Sequence, residues 1–288
     1  MTERKIFIVT ETGGDLFHSD AERYSISIVP MHVQLGDESR DDGKFPVTDV
    51  FDHYAKTKQL PKTSATNPHE YRSAFDEILA GNPDALIIHL AYSAITTASY
   101  HNALLASDGA KNIVHIDTKQ VAGGQRAVVL KVAQFIEENP QASAEEIKAF
   151  TEKIVERARF VFFPGNLEYL KAGGRVSNAA YLLASFLGLK PLIEMLDGKL
   201  VGTKKYRGSD RKIYKQLVND YLSANKLEKD SFFMVYSEGL DDGLKKELEE
   251  EAAKYGYKNF IWVPTGCVIS THSGPGAFGL GGFTVQLL

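Results

Sequence analysis

Short apolar runs alternate with helix-periodic segments through the first half of this chain, and that alternation admits few folds. Residues 5–10 form an apolar run that ends in the polar turn Glu11-Thr12-Gly13-Gly14-Asp15. A second run covers 25–33, and Thr48 stands where it caps a helix carrying Val50, Phe51 and Tyr54. Asn67-Pro68-His69-Glu70 sets a capping residue before Pro at the first helical position and Glu at the third. Tyr71, Phe75, Ile78 and Leu79 then follow at helical spacing. Runs at 85–91 and 112–117 read as buried strands, each leading into a helix. Strands that alternate with helices build a parallel, doubly wound sheet, and ligands of such sheets sit beyond the C-terminal strand ends. Those ends carry Thr10-Glu11-Thr12, Tyr92-Ser93-Ala94 and Asp117-Thr118.

The second half is organised differently. Ser143 with Glu146 opens a capped helix that runs to about residue 159, where a domain boundary is expected. Residues 1–159 read as a Rossmann-like α/β domain and 160–288 as a second α/β domain with a mixed sheet. Asp197-Gly198 between the runs 192–195 and 199–205 is a strong hairpin signal. Strand–helix segments at 231–237 and 259–264 precede a Gly-rich stretch and a last strand. A length of 288 residues suits two such domains.

Composition removes several function classes. The net charge of −4 lacks the basic excess of a nucleic-acid binder, so no nucleic-acid partner is expected. A single cysteine, Cys267, forms no internal disulfide and no cysteine zinc site, which points to a reducing cytoplasm. The first apolar run is too short for a signal-peptide core. The most lipophilic stretch, 179–189, falls well short of the ~20 residues that span a bilayer, so no stable membrane insertion is expected. The chain has no G-x-S-x-G elbow, no G-x-x-x-x-G-K-[ST] loop and no H-E-x-x-H. No pair among the eight histidines has metal-ligand spacing, so neither a metal nor a cofactor is expected.

Several segments carry groups suited to an anion, each with a plainer structural role beside it. Thr63 and Ser64 precede the Asn67 helix, as anion donors or as simple caps. Ser93, with Thr96, Thr97 and Ser99 after it, offers hydroxyls at a strand–helix turn under the same two readings. Gly173 reads as a helix stop, and Arg175 after it as an interdomain clamp or an anion contact. Residues 179–189 are apolar almost all round, so a helix there is core or the wall of a tunnel lined by Tyr181, Leu182, Phe186 and Leu189. Lys204, Lys205, Arg207, Arg211, Lys212 and Lys215 form a basic cluster, either a solvated face or a docking patch for an acidic partner. In Thr271-His272-Ser273-Gly274-Pro275-Gly276, the glycines spell G-x-G-x-x-G with Gly279, but too little chain follows for a dinucleotide fold. A turn of exposed amides with His272 at its edge is the better reading.

Taken in order, these segments resemble the DegV family. Thr10-Glu11-Thr12-Gly13-Gly14-Asp15-Leu16 is similar to its T-D-S-x-x-D-L, and Pro61-Lys62-Thr63-Ser64 to its P-K-T-S. Residues 93–100 resemble its S-S-x-L-S-G-T-Y, and 167–176 its L-x-Y-L-x-x-G-G-R-I. Lys190-Pro191, Asp197-Gly198, Lys205 and Arg207 match K-P…D-G…K-x-R, and 271–276 match T-H-T-G-P-G. Glu11 and Thr12 stand for Asp and Ser, Ala94 removes the second Ser of a pair, and Thr97-Ala98-Ser99 replaces Ser-Gly-Thr.

The resemblance implies a two-domain α/β protein that buries one long-chain fatty acid between its domains. It implies a lipid-binding subunit rather than an enzyme, working with a separate fatty acid kinase that makes an acyl phosphate for phospholipid synthesis. By motif, Thr63, Ser64, Ser93, Thr97 and His272 would surround the carboxylate. Arg175, Arg207 and His272 would serve transfer or kinase docking. Two rivals stand beside this reading. One is a stand-alone acyl hydrolase or transferase pairing Ser64 or Ser93 with His272, for which no third group is evident. The other is a carrier of a different apolar acid.

Overall fold

The computed structural model describes residues 4–178 and 188–285. Its first sheet is parallel and four-stranded, in the order β2 (Ile26–Val29), β1 (Ile6–Glu11), β6 (Leu86–Ala91) and β7 (Ile113–Asp117). β6 is buried at every position, as a central strand covered on both faces requires. Two clusters cover those faces, one around Tyr71 and Phe75 of α3 (Pro68–Gly81), the other around Val128, Val129 and Val132 of α5 (Ala122–Glu138). The Asn67–Glu70 capping box forms as expected, and so does that of Ser143 and Glu146 on α6 (Ala144–Arg157).

A mixed sheet of six strands forms the second lobe. Its order is β10 (Lys199–Arg207), β9 (Leu189–Leu196), β8 (Ala158–Phe163), β13 (Phe278–Phe283), β11 (Phe233–Tyr236) and β12 (Ile261–Pro264). Only β11 and β12 run parallel. Asp197 and Gly198 turn the β9–β10 hairpin, both with positive φ, as a two-residue primed turn demands. One face packs on α8 (Asp210–Ala224) and α9 (Asp242–Ala253) through Tyr214, Leu217 and Leu248. A separate apolar cluster joins the lobes: Met31, Val50, Tyr92 and Val121 meet Phe160, Ile193, Leu200, Val235 and Val268.

Three expectations need correction. Residues 25–33 do not form one strand. The chain leaves the parallel sheet after Val29, and β3 (His32–Leu35) joins a small antiparallel sheet between β4 (Glu38–Asp41) and β5 (Lys62–Ser64). Pro30, with no N–H to give to a ladder, sits at the break. Thr63 and Ser64 are therefore strand residues. His272 lies not in a turn but in the last turn of α10 (Cys267–Ser273), which stops at Gly274 with φ +72°. Leu189 belongs to β9, opposite Arg207, and not to an apolar helix. Tyr181, Leu182 and Phe186 lie outside the described residues. Among the described residues no helix is long and apolar enough to cross a membrane.

Candidate functional site

Between the lobes lies a cavity that encloses about 870 Å³ of empty space when its open mouth is counted in. Met31, Phe160, Phe162, Leu170, Val235 and Phe278 give it a mainly apolar wall. Thr63, Ser64, Thr97, Arg175 and His272 supply polar groups on the same wall. Local sequence explains how these arrive. Thr63 and Ser64 ride on β5, whose partner β3 aligns Val33 with Thr63 and His32 with Ser64. His272 is carried on α10, and Arg175 follows α7 (Leu167–Gly173).

The centre of the polar side is the pair Thr63 Oγ1 and His272 Nε2, 2.8 Å apart across 209 residues of sequence. His272 Nδ1 is buried without a hydrogen-bond partner. Burial, helped by the nearby Arg175 charge, pushes the His272 imidazole down to about 4, so it is neutral at physiological pH. Gly173 makes room for this ring, because a Cβ there would lie 2.2 Å from His272 Nδ1. The sequence reading gave Gly173 the helix stop; Gly174, at φ +63°, turns the chain instead. Arg175 is exposed, and its Nη1 donates to the Gly173 carbonyl at 2.5 Å. Among the described residues the exposed Ser64 hydroxyl has no protein partner.

Of the remaining motif residues, Thr97 reaches the cavity wall, while Ser93 and Arg207 stand elsewhere. Ser93 is fully buried, is not on the cavity wall, and its hydroxyl donates to the Gly198 carbonyl at 2.6 Å. Thr97 Oγ1 contacts Ser99 Oγ at 3.1 Å and accepts from the Ser99 amide at 3.3 Å. Arg207 is exposed at the end of β10 and does not line the cavity. Within the basic cluster, Arg211 pairs with Asp241 and Glu247, and Lys215 with Glu247 and Glu251, so part of that charge is neutralised locally.

Sequence reasoning missed the residues that anchor α10. Asp15 Oδ1 accepts from the Gly266 amide and Asp42 Oδ1 from the Cys267 amide, each at 2.8 Å. Burial pushes both carboxyls up, Asp15 strongly, although the helix amides oppose it. At the other end the Gly165 and Asn166 amides donate to the Ser273 carbonyl. A side chain at Gly165 would collide with the Pro275 carbonyl, 1.9 Å from its Cβ position. The motif Glu11-Thr12-Gly13-Gly14-Asp15 hints at these ties only through its last residue. Glu11 itself is a buried anchor of the first sheet. Burial alone would raise its carboxyl, but His89, Tyr71 and the Tyr92 amide together hold it below the ordinary range.

The arrangement suits binding better than hydrolysis. A nucleophilic Ser–His pair needs a group that orients the histidine. His272 Nδ1 has none, Ser93 is committed to Gly198, and Thr63 holds Nε2. The one grouping of metal-ligand types among the described residues is His32, Asp41 and Glu70. Its carboxylates face different ring nitrogens, Nδ1 at 3.0 Å from Asp41 and Nε2 at 3.0 Å from Glu70. That is a hydrogen-bonded clamp, since one metal takes one ring nitrogen.

Known proteins share both this sequence pattern and this architecture. A DegV domain-containing protein of Clostridium perfringens is 29% identical over 94% of this chain and 95% of its own length. A fatty acid-binding protein of Thermotoga maritima is 25% identical, over 96% of this chain and 97% of its own. A fatty-acid-binding DegV family protein from Thermus thermophilus superposes with a TM-score of 0.85 at 23% identity, over 98% of this chain and 100% of its own. The family model described as "Uncharacterised protein, DegV family" matches residues 5–284, and the chain belongs to that family.

Proposed function

We propose that this protein carries one long-chain fatty acid in the interlobe cavity, with the carboxylate at Thr63, Ser64 and His272 and the acyl chain against the apolar wall. One observation carries the reading: a mainly apolar cavity with the Thr63–His272 pair on its polar side. Burying an acyl chain contributes about 0.8 kcal/mol per methylene, ample for tight binding after association costs. The head group then needs only enough donors to offset its desolvation. With the proton on Nε2, His272 donates to Thr63 Oγ1 and leaves the Thr63 O–H for the carboxylate. The other tautomer would bury an unpaired N–H against Gly173, which costs more. Arg175, exposed at the cavity wall, adds positive charge without enclosing the ligand, as a carrier that must surrender its cargo requires.

The finer step is presentation of the carboxylate to a separate kinase for acyl-phosphate formation, and it rests on the motif resemblance. Arg207, exposed at the end of β10 and outside the cavity, suits partner docking. Two measurements on the Arg207→Ala protein test this: fatty-acid affinity, and acyl-phosphate formation with kinase and ATP. Docking is supported if phosphorylation falls while affinity holds. Equal losses would put Arg207 at the ligand, and no loss in either would make the basic face merely solvated.

A further inference from the structure

The walls of the cavity are not tied down equally. α10 is held at its first turn by Asp15 and Asp42 and at its last by the Gly165 and Asn166 amides. β5 is paired within the small sheet. The β9–β10 hairpin, which contributes Leu200 to the cavity, is fixed at its body and exposed at its tip. Its inner strand meets β8 through the register pairs Val161–Glu194 and Phe162–Ile193, the Val176–Leu200 bridge and Asn178 hold the outer side of β10, and Leu196 and Asp197 at the tip are exposed. The rigid two-residue turn at Asp197-Gly198 reaches across to the first lobe and makes two polar contacts there. The Ser93 hydroxyl donates to the Gly198 carbonyl at 2.6 Å, and Lys119 Nζ lies 2.5 Å from Asp197 Oδ1. The tip fits closely, since a Cβ on Gly198 would lie 3.2 Å from Ser93 Oγ and 3.3 Å from Ile95 Cδ1. The ion pair is solvated, with Lys119 47% and Asp197 82% exposed, and so contributes little alone. The buried neutral hydrogen bond is the stronger of the two, yet still modest.

We propose that these contacts form a latch: Ser93 and Lys119 hold the hairpin tip shut against the first lobe, and their release frees the tip and loosens the Leu200 wall behind it to admit and discharge the ligand. The proposal rests on the carrier reading for the identity of the ligand, a long-chain carboxylate. It gives the motif serine a different task from head-group binding. A latch that touches no ligand-facing polar group sets the barrier to exchange and leaves the bound state alone. Removing it speeds association and dissociation together.

The test is stopped-flow exchange of a fluorescent long-chain fatty acid on the intact protein, with amide hydrogen exchange on the same variants. In Ser93→Ala both rates are expected to rise about fivefold, the worth of one buried hydrogen bond, while Kd stays within about twofold. In Lys119→Ala both rates rise about twofold, and the acceleration that salt gives the wild type disappears. The Ser177 and Gly202 amides, which bond to Leu200 and Asn178 at the hairpin's flank, exchange faster in Ser93→Ala. Unchanged rates in both variants overturn the latch. So does a Ser93→Ala protein whose Kd weakens tenfold at unchanged association rate, which would return Ser93 to the head group. If the wild type binds no fatty acid, the carrier reading fails. The latch then stands or falls on the amide exchange alone, where no acceleration overturns it.

Discussion

The two hydroxyl motifs of the first lobe look alike in sequence and end in different places. Lys62-Thr63-Ser64 and Ser93 with Thr96 and Thr97 both set hydroxyls shortly before a helix, and both suggested an anion site. Thr63 meets a histidine 209 positions away on the cavity wall. Ser93 is fully buried against the carbonyl of Gly198, 105 positions away. A hydroxyl has one proton to give, so the long-range partner and not the local spacing decides its use. In the first case the partner is a neutral imidazole, which in the proposed tautomer leaves the Thr63 O–H available. In the second it is a hairpin tip that consumes the proton.

The largest expected effect falls on the first motif. Thr63→Ala removes a donor to a charged group, worth about 1.5–3 kcal/mol, so calorimetric titration should show roughly ten- to a hundredfold weaker fatty-acid binding. An unchanged affinity would erase the distinction between the motifs. Next is Gly173→Ala. Its methyl would drive into His272 Nδ1, and overpacking of this kind costs about 1–3 kcal/mol. Thermal unfolding should show that loss, with affinity weakened as the ring is displaced. A fully stable variant with normal affinity would show that the imidazole position does not matter.

The protonation of His272 sharpens the comparison further. Its folded-state value of about 4 lies below the ordinary 6.5. The unfolded chain therefore binds a proton more readily. The stabilisation is complete above pH 6.5 and is lost as pH falls toward 4. Acid unfolding of His272→Gln should lack that part of the decline. Affinity should stay level from pH 8 to pH 6, because the imidazole gains no charge there. A rise in affinity over that interval would mean a cationic histidine at the head group. The smallest effect on affinity belongs to Ser93→Ala, whose Kd should move by less than about twofold even as exchange accelerates.

Much of the scaffold was legible in sequence because its signals are local. The alternation of apolar runs and helices gives the parallel sheet, Asn67 and Ser143 mark helix starts, and Asp197-Gly198 marks the hairpin. The small sheet was not legible, since 25–33 reads as one extended run and only Pro30 hints at its division between two sheets. His272 was legible as a site candidate but not as a helical residue. Short helices such as α10 have little periodicity, and this one depends on Asp15 and Asp42 more than 200 residues upstream. Gly173 was noticed for the wrong property: the space it leaves matters, and the turn belongs to Gly174.

The central claim is that the cavity holds a fatty-acid carboxylate at Thr63 and His272. Its most direct test is the carbon NMR signal of carboxyl-labelled palmitate added to the purified protein. The account expects one saturable bound signal, about one per chain, shifted from that of the free acid. Thr63→Ala and His272→Gln should move that signal, and Ser93→Ala should leave it in place. A protein that gives no bound signal, or one whose signal responds to Ser93→Ala and ignores Thr63→Ala, would contradict it.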